Sequence, residues 1–68
     1  MRLSARNQIS GTVVEIAAGV VNSTVKVDIG GSNLITSSIT VEAVADLGLV
    51  VGDTVTVIVK ASDVMIGK

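Results

Sequence analysis

Thr40-Val-Glu-Ala-Val-Ala-Asp-Leu-Gly48 departs from the two-residue alternation that governs most of this 68-residue chain. Thr40 has a hydroxyl suited to capping the start of a helix, and Glu42 falls in what would be the first turn. Gly48 is suited to ending a helix in a left-handed conformation. The stretch therefore predicts one short helix of about two turns.

The segments on both sides of this helix alternate between apolar and polar residues, which is typical of half-buried strands. Glycines, with Ser32 and Asn33, lie between these segments and supply residues suited to turns. The predicted strands are Gln8–Ala17, Ser23–Ile29, Leu34–Ile39, Asp53–Lys60 and Val64–Ile66. Five strands with one short helix between strands 3 and 4 predict an all-β protein, an OB-like five-stranded Greek-key barrel.

No linker, repeat or low-complexity tract interrupts the chain, so residues 1–68 are interpreted as a single domain. Almost half of the residues are hydrophobic, at 49%, and the mean hydropathy is +0.76. A chain this short buries only about 60% of the surface that its unfolded form exposes. We therefore expect the surplus apolar surface to be buried between subunits of a homo-oligomer.

The composition argues against several classes of protein. Cys, His, Phe, Tyr and Trp are all absent, which removes thiolate and imidazole ligands for a metal and the commonest general base. The six carboxylates are scattered singly along the chain, so neither a catalytic pair nor a direct protein–metal site is predicted. We expect no enzyme activity and no catalytic residue.

Nucleic-acid and membrane partners are not expected either. The net charge is −1 and the pI about 4.9, without the basic groove and aromatic platforms that bind single strands. The longest apolar run, Ile16–Val21, is far shorter than the roughly 20 residues that span a bilayer. No secretion signal is visible, so we expect a cytoplasmic protein.

Two cations near opposite ends of the chain have small neighbours. Arg6 lies in Ser4-Ala5-Arg6-Asn7, and Lys60 begins Lys60-Ala61-Ser62. Small side chains let backbone N–H groups approach a ligand, and serine hydroxyls add donors. Together with the start of the predicted helix at Thr40, these segments could form a cage for a tetrahedral oxyanion.

Asp63 adjoins the second of these segments, but in an extended strand its side chain would point away from Lys60 and Ser62. A cage without a carboxylate favours a fully ionised dianion such as sulfate, molybdate or tungstate. The residues alone also fit a simpler interpretation, in which Arg6 and Lys60 are exposed charges or pair with carboxylates across a subunit interface.

The segment Ser4-Ala5-Arg6-Asn7-Gln8 followed by Gly11-Thr12-Val13-Val14 resembles the start of the molbindin (Mop) family of small molybdate-binding proteins. The resemblance continues through Ile35–Ile39, Asp46–Leu49 and Val59–Ile66, so it extends over essentially the whole chain. It implies that residues 1–68 form one Mop domain with an OB-like barrel. It also implies a hexamer, a trimer of dimers, in which oxyanions bind at subunit interfaces.

The resemblance implies that one subunit contributes Ser4, Arg6 and Lys60, with backbone donors near Ala5 and Ala61. Ser62 adds a hydroxyl beside Lys60, and the resemblance implies that a second subunit contributes Thr40. Relatives often have a second hydroxyl at the position of Ala43, which this chain lacks. A second type of site, near a three-fold axis, would use Gly19 and Val20.

The function implied by the resemblance is cytoplasmic storage and homeostasis of molybdate, with tungstate as a possible second ligand and no cofactor. Binding would be reversible and would involve no chemistry. The alternative is a structural or protein-interaction oligomer of the same fold that has lost its ligand or changed it, for example to sulfate. The two differ in whether the assembly responds to molybdate.

Overall fold

A computed structural model describes all residues, 1–68, as a four-stranded antiparallel sheet with one short helix beside it. The strand order across the sheet is β3-β2-β1-β4. The elements are β1 (Asn7–Ala18), β2 (Asn22–Gly30), β3 (Asn33–Thr40), α1 (Val41–Leu47), β4 (Thr54–Val59) and a 3-10 turn (Ala61–Asp63). The first four predicted strands and the predicted helix are confirmed.

Both ends of α1 follow the local chemistry of the sequence. The Thr40 hydroxyl oxygen accepts a hydrogen bond from the Ala43 amide at 3.0 Å, as an N-cap does. Gly48 ends the helix with φ 62° and ψ 36°, a left-handed conformation that is strained for residues with a Cβ atom. The helix therefore begins and ends at the predicted residues.

Strand β1 is long enough to pair with two neighbours in turn. Its first half pairs with β4, from Asn7 opposite Val59 to Thr12 opposite Thr54. Its second half pairs with β2, and an irregularity between Val13 and Glu15 interrupts that register. Such an irregularity bends a strand, so the sheet curves along β1.

The core is small and consists of aliphatic residues. Val13, Val25 and Val27 are buried, with partly buried aliphatic residues packed against them. Alternation along β2 and β4 places these side chains on one face, as the sequence predicts. Only four of 68 residues are buried, so most of the apolar residues keep part of their surface exposed.

The predicted fifth strand, Val64–Ile66, does not form within the chain, and this part of the prediction is wrong. The 3-10 turn at Ala61–Asp63 follows β4, and the residues after it have no strand neighbour. Met65 and Ile66 are 92% and 90% exposed. A strand needs a partner for its backbone N–H and C=O groups, and this segment finds none in its own chain.

The short helix α1 is the only α-helix in the chain. No helix is both long enough and apolar enough to cross a membrane.

Candidate oxyanion site

The two cations singled out in the sequence lie at the same end of the sheet. Asn7 pairs with Val59 at the end of the β1–β4 ladder, and the Asn7 side-chain amide donates to the Val59 carbonyl oxygen at 3.1 Å. Arg6 directly precedes this pair and Lys60 directly follows it. The fold therefore brings together two cations that are 54 positions apart in the chain.

Local hydrogen bonds to backbone carbonyl oxygens hold the two segments that contain these cations. On the β1 side, the Gln8 side-chain amide donates to the Ala5 carbonyl oxygen at 3.2 Å. On the β4 side, the 3-10 turn uses the amides of Asp63 and Val64 as donors, to Lys60 and Ala61 carbonyl oxygens at 2.9 and 3.3 Å. The first amides of a helical turn have no partner within the turn. The turn therefore leaves the amides of Ala61 and Ser62 free of internal partners.

The prediction for Asp63 rested on an extended strand, and that part of it is wrong. Residues 61–63 form a 3-10 turn, in which side chains do not alternate between two faces. Asp63 nevertheless makes no ion pair with Lys60 or Arg6. The one salt bridge in the chain joins Lys26 to Glu15, with 3.5 Å between nitrogen and oxygen.

Neither Arg6 nor Lys60 is neutralised within its own chain. Ser4, Arg6, Lys60, Ala61 and Ser62 are all exposed, and Ala5 is half-buried. The cluster is thus an open, cationic corner of the sheet with hydroxyls on both sides. This corner can attract an anion, but the residues of one chain alone would not enclose that anion.

Thr40 lies at a different place in the fold. It pairs with Asn22 at the end of the β2–β3 ladder, beyond the pairing of Ser23 with Ala18, where β1 ends. Arg6 precedes the opposite end of the same 12-residue strand. The structure therefore does not bring Thr40 together with Arg6 and Lys60 within one chain.

The start of α1 offers fewer free donors than the sequence predicts. The Val41 amide donates to the Val21 carbonyl oxygen at 2.8 Å, and the Ala43 amide donates to the Thr40 hydroxyl oxygen. Two of the first three helix amides are therefore engaged. The Thr40 hydroxyl accepts in this contact, and its own proton stays available to donate elsewhere.

Gly19 and Val20 form the turn between β1 and β2, at the same end of the sheet as Thr40. The Gly19 amide donates to the Asn22 carbonyl oxygen at 2.9 Å, and a Cβ atom on Gly19 would lie 2.6 Å from that oxygen. The turn therefore requires glycine for close backbone approach. Val20 is 99% exposed, and the bond from Val41 to Val21 joins this turn to the start of α1.

The sequence pattern predicts no separate role for Asn7 or Ser23. The Asn7 side chain joins the ends of β1 and β4 next to the two cations, and only the strand register reveals this. Ser23 is buried, at 1% exposure, and its hydroxyl has no hydrogen-bond partner. Its place on the same face as Val25 and Val27 follows from the alternation and could have been recognised.

No group of three or more carboxylate, Cys or His side chains converges in the structure. The chemistry of the exposed corner is that of positive charge and hydrogen-bond donors.

Comparison with known proteins gives a family for nearly the whole chain. The TOBE domain family matches residues 3–66. A probable molybdenum-pterin-binding protein of Haemophilus influenzae is 48% identical over 67 residues, which is 98% of this chain and 97% of that protein. Molybdenum-pterin-binding protein 2 of Clostridium pasteurianum is 47% identical and covers 97% of each chain.

Solved structures agree with these relatives. A molybdate-binding protein from Sporomusa ovata superposes with a TM-score of 0.94 at 41% identity and covers all of both chains. ModG, described as a cytoplasmic molybdate-binding protein, superposes with a TM-score of 0.90 at 48% identity. That match covers 96% of this chain and 46% of ModG.

The names of these relatives describe binding, and none of them indicates catalysis. The structural neighbours share the OB-like fold, which confirms the predicted fold class. The chain belongs to the TOBE domain family and, within it, to the molbindin (Mop) family of molybdenum-pterin-binding proteins.

Proposed function

We propose that this chain binds molybdate reversibly at the interfaces of a homo-oligomer and serves to store it in the cytoplasm. Residues 1–68 would act as one Mop domain, and tungstate would bind in the same way because its size and charge are nearly the same. The observation that carries the proposal is the position of Arg6 and Lys60 next to the terminal Asn7–Val59 pair of the sheet, without a carboxylate bound to either cation.

The donor chemistry fits a dianion that is fully ionised near neutral pH. Arg6 and Lys60 supply positive charge, Ser4 and Ser62 supply hydroxyl donors, and the backbone near Ala5 and Ala61 supplies N–H groups. Charge-assisted hydrogen bonds contribute about 1.5–3 kcal/mol each. Several of them would hold an oxyanion that has lost part of its hydration shell, without any bond being made or broken.

A site between subunits agrees with the position of Thr40. Within one chain, Thr40 lies at the other end of the sheet from Arg6 and Lys60, so its hydroxyl would reach the anion only from a neighbouring subunit. The Gly19–Val20 turn would form a second site with further copies around a three-fold axis. A hexamer built as a trimer of dimers accommodates both kinds of site.

The exposed surface also favours self-association. A folded monomer of 6.8 kDa is expected to expose about 4,000 Å², whereas this chain exposes 5161 Å². The exposed apolar side chains include Val20, Leu47, Met65 and Ile66. Contact between subunits would remove such side chains from water.

Isothermal titration calorimetry with molybdate, tungstate, sulfate and chloride tests the ligand. We expect saturable heats with molybdate and tungstate, weaker binding of sulfate, and none with chloride beyond dilution. If molybdate behaves as chloride does while the oligomer remains intact, the protein is instead a structural or protein-interaction oligomer of this fold. If sulfate binds more tightly than molybdate, the storage function is wrong.

A further inference from the structure

Hydrogen bonds hold the backbone on both sides of Lys60. The Val59 carbonyl oxygen, which accepts from the Asn7 side-chain amide at 3.1 Å, belongs to the peptide unit that leads into Lys60. The Lys60 carbonyl oxygen accepts from the Asp63 amide at 2.9 Å, which holds the peptide unit that follows. Because peptide units are planar, two held units restrict φ and ψ of Lys60, which are −62° and 139°. They therefore also set the direction in which the Lys60 side chain leaves the backbone.

The backbone beside Arg6 is held in a similar way. The Ala5 carbonyl oxygen, in the peptide unit that leads into Arg6, accepts from the Gln8 side-chain amide at 3.2 Å. The peptide unit that follows Arg6 leads into Asn7, the first residue of the β1–β4 ladder. Asn7 is therefore bonded covalently to Arg6 and, through its side chain, to the peptide unit of Lys60.

Asn7 makes the stronger of these two carboxamide connections. Its bond is partly buried and joins residues 52 positions apart, whereas the bond of Gln8 is exposed and joins residues three positions apart. A hydrogen bond that is shielded from water is electrostatically stronger than an exposed one. The Asn7 bond also acts between two strands, so it sets how far the backbone of Arg6 lies from that of Lys60.

A bond of the same type occurs elsewhere in the chain without a cation beside it. The Asn33 side-chain amide donates to the Gly30 carbonyl oxygen at 3.1 Å, in the turn between β2 and β3. The neighbours of Asn33 in the chain, Ser32 and Leu34, carry no charge. Asn33 therefore provides a reference for what such a bond contributes to the fold alone.

We propose that Asn7 is a positioning residue of the oxyanion site, which acts through Lys60 and sets the spacing between Lys60 and Arg6. This inference rests on the proposed function, because it assigns Asn7 a role in the binding of the same tetrahedral dianion. The Asn7 amide donates to the Val59 carbonyl oxygen, so its effect on the anion passes through the backbone of Lys60. Its contribution is to hold the donors in place before the anion arrives.

A fixed spacing between the cations gives the site a preference for anions of one size. Sulfate and molybdate are tetrahedral dianions of the same charge, and sulfate is the smaller of the two. Donors held in place discriminate between them, because hydrogen bonds weaken when their length departs from about 2.7–3.2 Å. Donors that move freely adapt to either anion. Asn7 therefore contributes to the choice between oxyanions as well as to affinity.

Calorimetry on three variants of the full-length oligomer tests this role. Asn7→Ala removes the donor, Asn7→Leu replaces it by an apolar side chain branched at the same atom, and Asn33→Ala removes the reference bond. We expect both Asn7 variants to bind molybdate about five- to ten-fold more weakly than the parent protein. Asn33→Ala should stay within about two-fold of the parent protein. The ratio of the sulfate Kd to the molybdate Kd should move towards one in the Asn7 variants only.

A double variant tests whether Asn7 acts through Lys60. When Lys60→Met has already removed the charge, Asn7→Ala should weaken molybdate binding by less than about two-fold further. The full five- to ten-fold loss in this background, an equal loss for Asn33→Ala, or an unchanged ratio of the two Kd values would overturn the proposal. If Asn7→Ala does not fold, Asn7→Leu takes its place in each comparison.

Amide hydrogen exchange without any anion separates this proposal from the proposed function. We expect the Asp63 amide to exchange faster in Asn7→Ala than in the parent protein or in Asn33→Ala, because the turn that it closes has lost its anchor. An unchanged exchange rate would overturn the role of Asn7. If the parent protein binds no molybdate, the proposed function fails, and the exchange rates still decide whether Asn7 holds the Lys60 segment.

Discussion

Arg6 and Lys60 flank the terminal pair of the β1–β4 ladder, where Asn7 lies opposite Val59. The Asn7 side chain donates to the Val59 carbonyl oxygen and fastens the two strand ends at this point. Two like charges held close together repel each other when no counter-ion is present. The dianion proposed to bind here would relieve this repulsion, since no carboxylate of the same chain forms a salt bridge with either cation.

Replacing Arg6 by Ala should weaken molybdate binding strongly. The variant removes one charge and the hydrogen bonds that a guanidinium donates to an oxyanion. The expected loss is about 1.5–3 kcal/mol, or roughly 10- to 150-fold in Kd. Calorimetry on the intact oligomer measures the change.

Arg2→Ala is the matched control, because Arg2 is an exposed cation of the same N-terminal segment outside the candidate site. We expect its affinity for molybdate to remain within about two-fold of the parent protein, since a lone exposed charge contributes little. Equal losses for both variants would indicate a general charge effect and contradict the assigned role of Arg6.

Lys60→Met should also weaken molybdate binding by about ten-fold or more, because it removes the second charge while keeping the length of the side chain. Lys26→Met serves as the control, since Lys26 is paired with Glu15 on another part of the sheet. The double variant Arg6→Ala/Lys60→Met tests whether both residues contact the same anion. Residues that share a ligand are expected to be non-additive, whereas strictly additive losses would place the two cations at separate sites.

Thr40 has one observed role, as a helix cap, and one proposed role, as a donor to the anion, and substitution can separate the two. Thr40→Val removes the helix cap seen in the bond from the Ala43 amide, and we expect a loss of about 1 kcal/mol in the free energy of unfolding. It also removes the hydroxyl proposed to donate to the anion. Thr40→Ser keeps both the cap and the donor, so it should restore stability and affinity.

Urea denaturation and calorimetry on both Thr40 variants provide the measurements. If the Thr40→Val variant is less stable but binds molybdate with unchanged affinity, Thr40 acts only as a helix cap. That result would remove the second subunit's proposed contribution to the site.

Gly11→Ala should destabilise the fold by about 1–3 kcal/mol through overpacking. A Cβ atom at this position would lie 2.5 Å from the Val27 Cγ1 atom and 2.8 Å from the Asp28 carbonyl oxygen. Val27 belongs to the buried core and cannot move freely. Gly67→Ala, where no neighbouring atom lies within 4 Å, is the control and should change stability by less than about 0.5 kcal/mol.

Urea midpoints for these two glycine variants must be compared at one protein concentration, because association contributes to apparent stability. A Gly11→Ala protein as stable as Gly67→Ala would mean that β1 does not approach β2 as closely as described.

The sequence predicts the local structure well because the interactions that determine it are local. The N-cap at Thr40 and the C-cap at Gly48 each depend on a few neighbouring residues. The alternation of exposed and half-buried side chains along β4 follows from the spacing of its own valines. The register that places Arg6 near Lys60 depends on contacts between residues that are 42 to 52 positions apart. No pattern within either segment determines that register.

The fifth strand shows a different limit of sequence-based prediction. Val64–Ile66 has the composition of a strand, but pairing requires an edge, and the 3-10 turn at Ala61–Asp63 leaves the segment without one in its own chain. Likewise, the resemblance to the Mop family assigns Thr40 and Arg6 to one site, while a single chain holds them at opposite ends of β1. Neither a fifth strand nor a site that contains both Thr40 and Arg6 forms within one chain.

Native mass spectrometry with and without molybdate tests most directly whether the anion binds between subunits. The protein is sprayed from a volatile buffer over a range of molybdate concentrations, and subunit number and bound mass are read from the same ions. We expect an oligomer that takes up molybdate in defined numbers, while any monomer in the same sample carries none. Molybdate bound to monomers as well as to the oligomer, or an oligomer that takes up no molybdate, would contradict it.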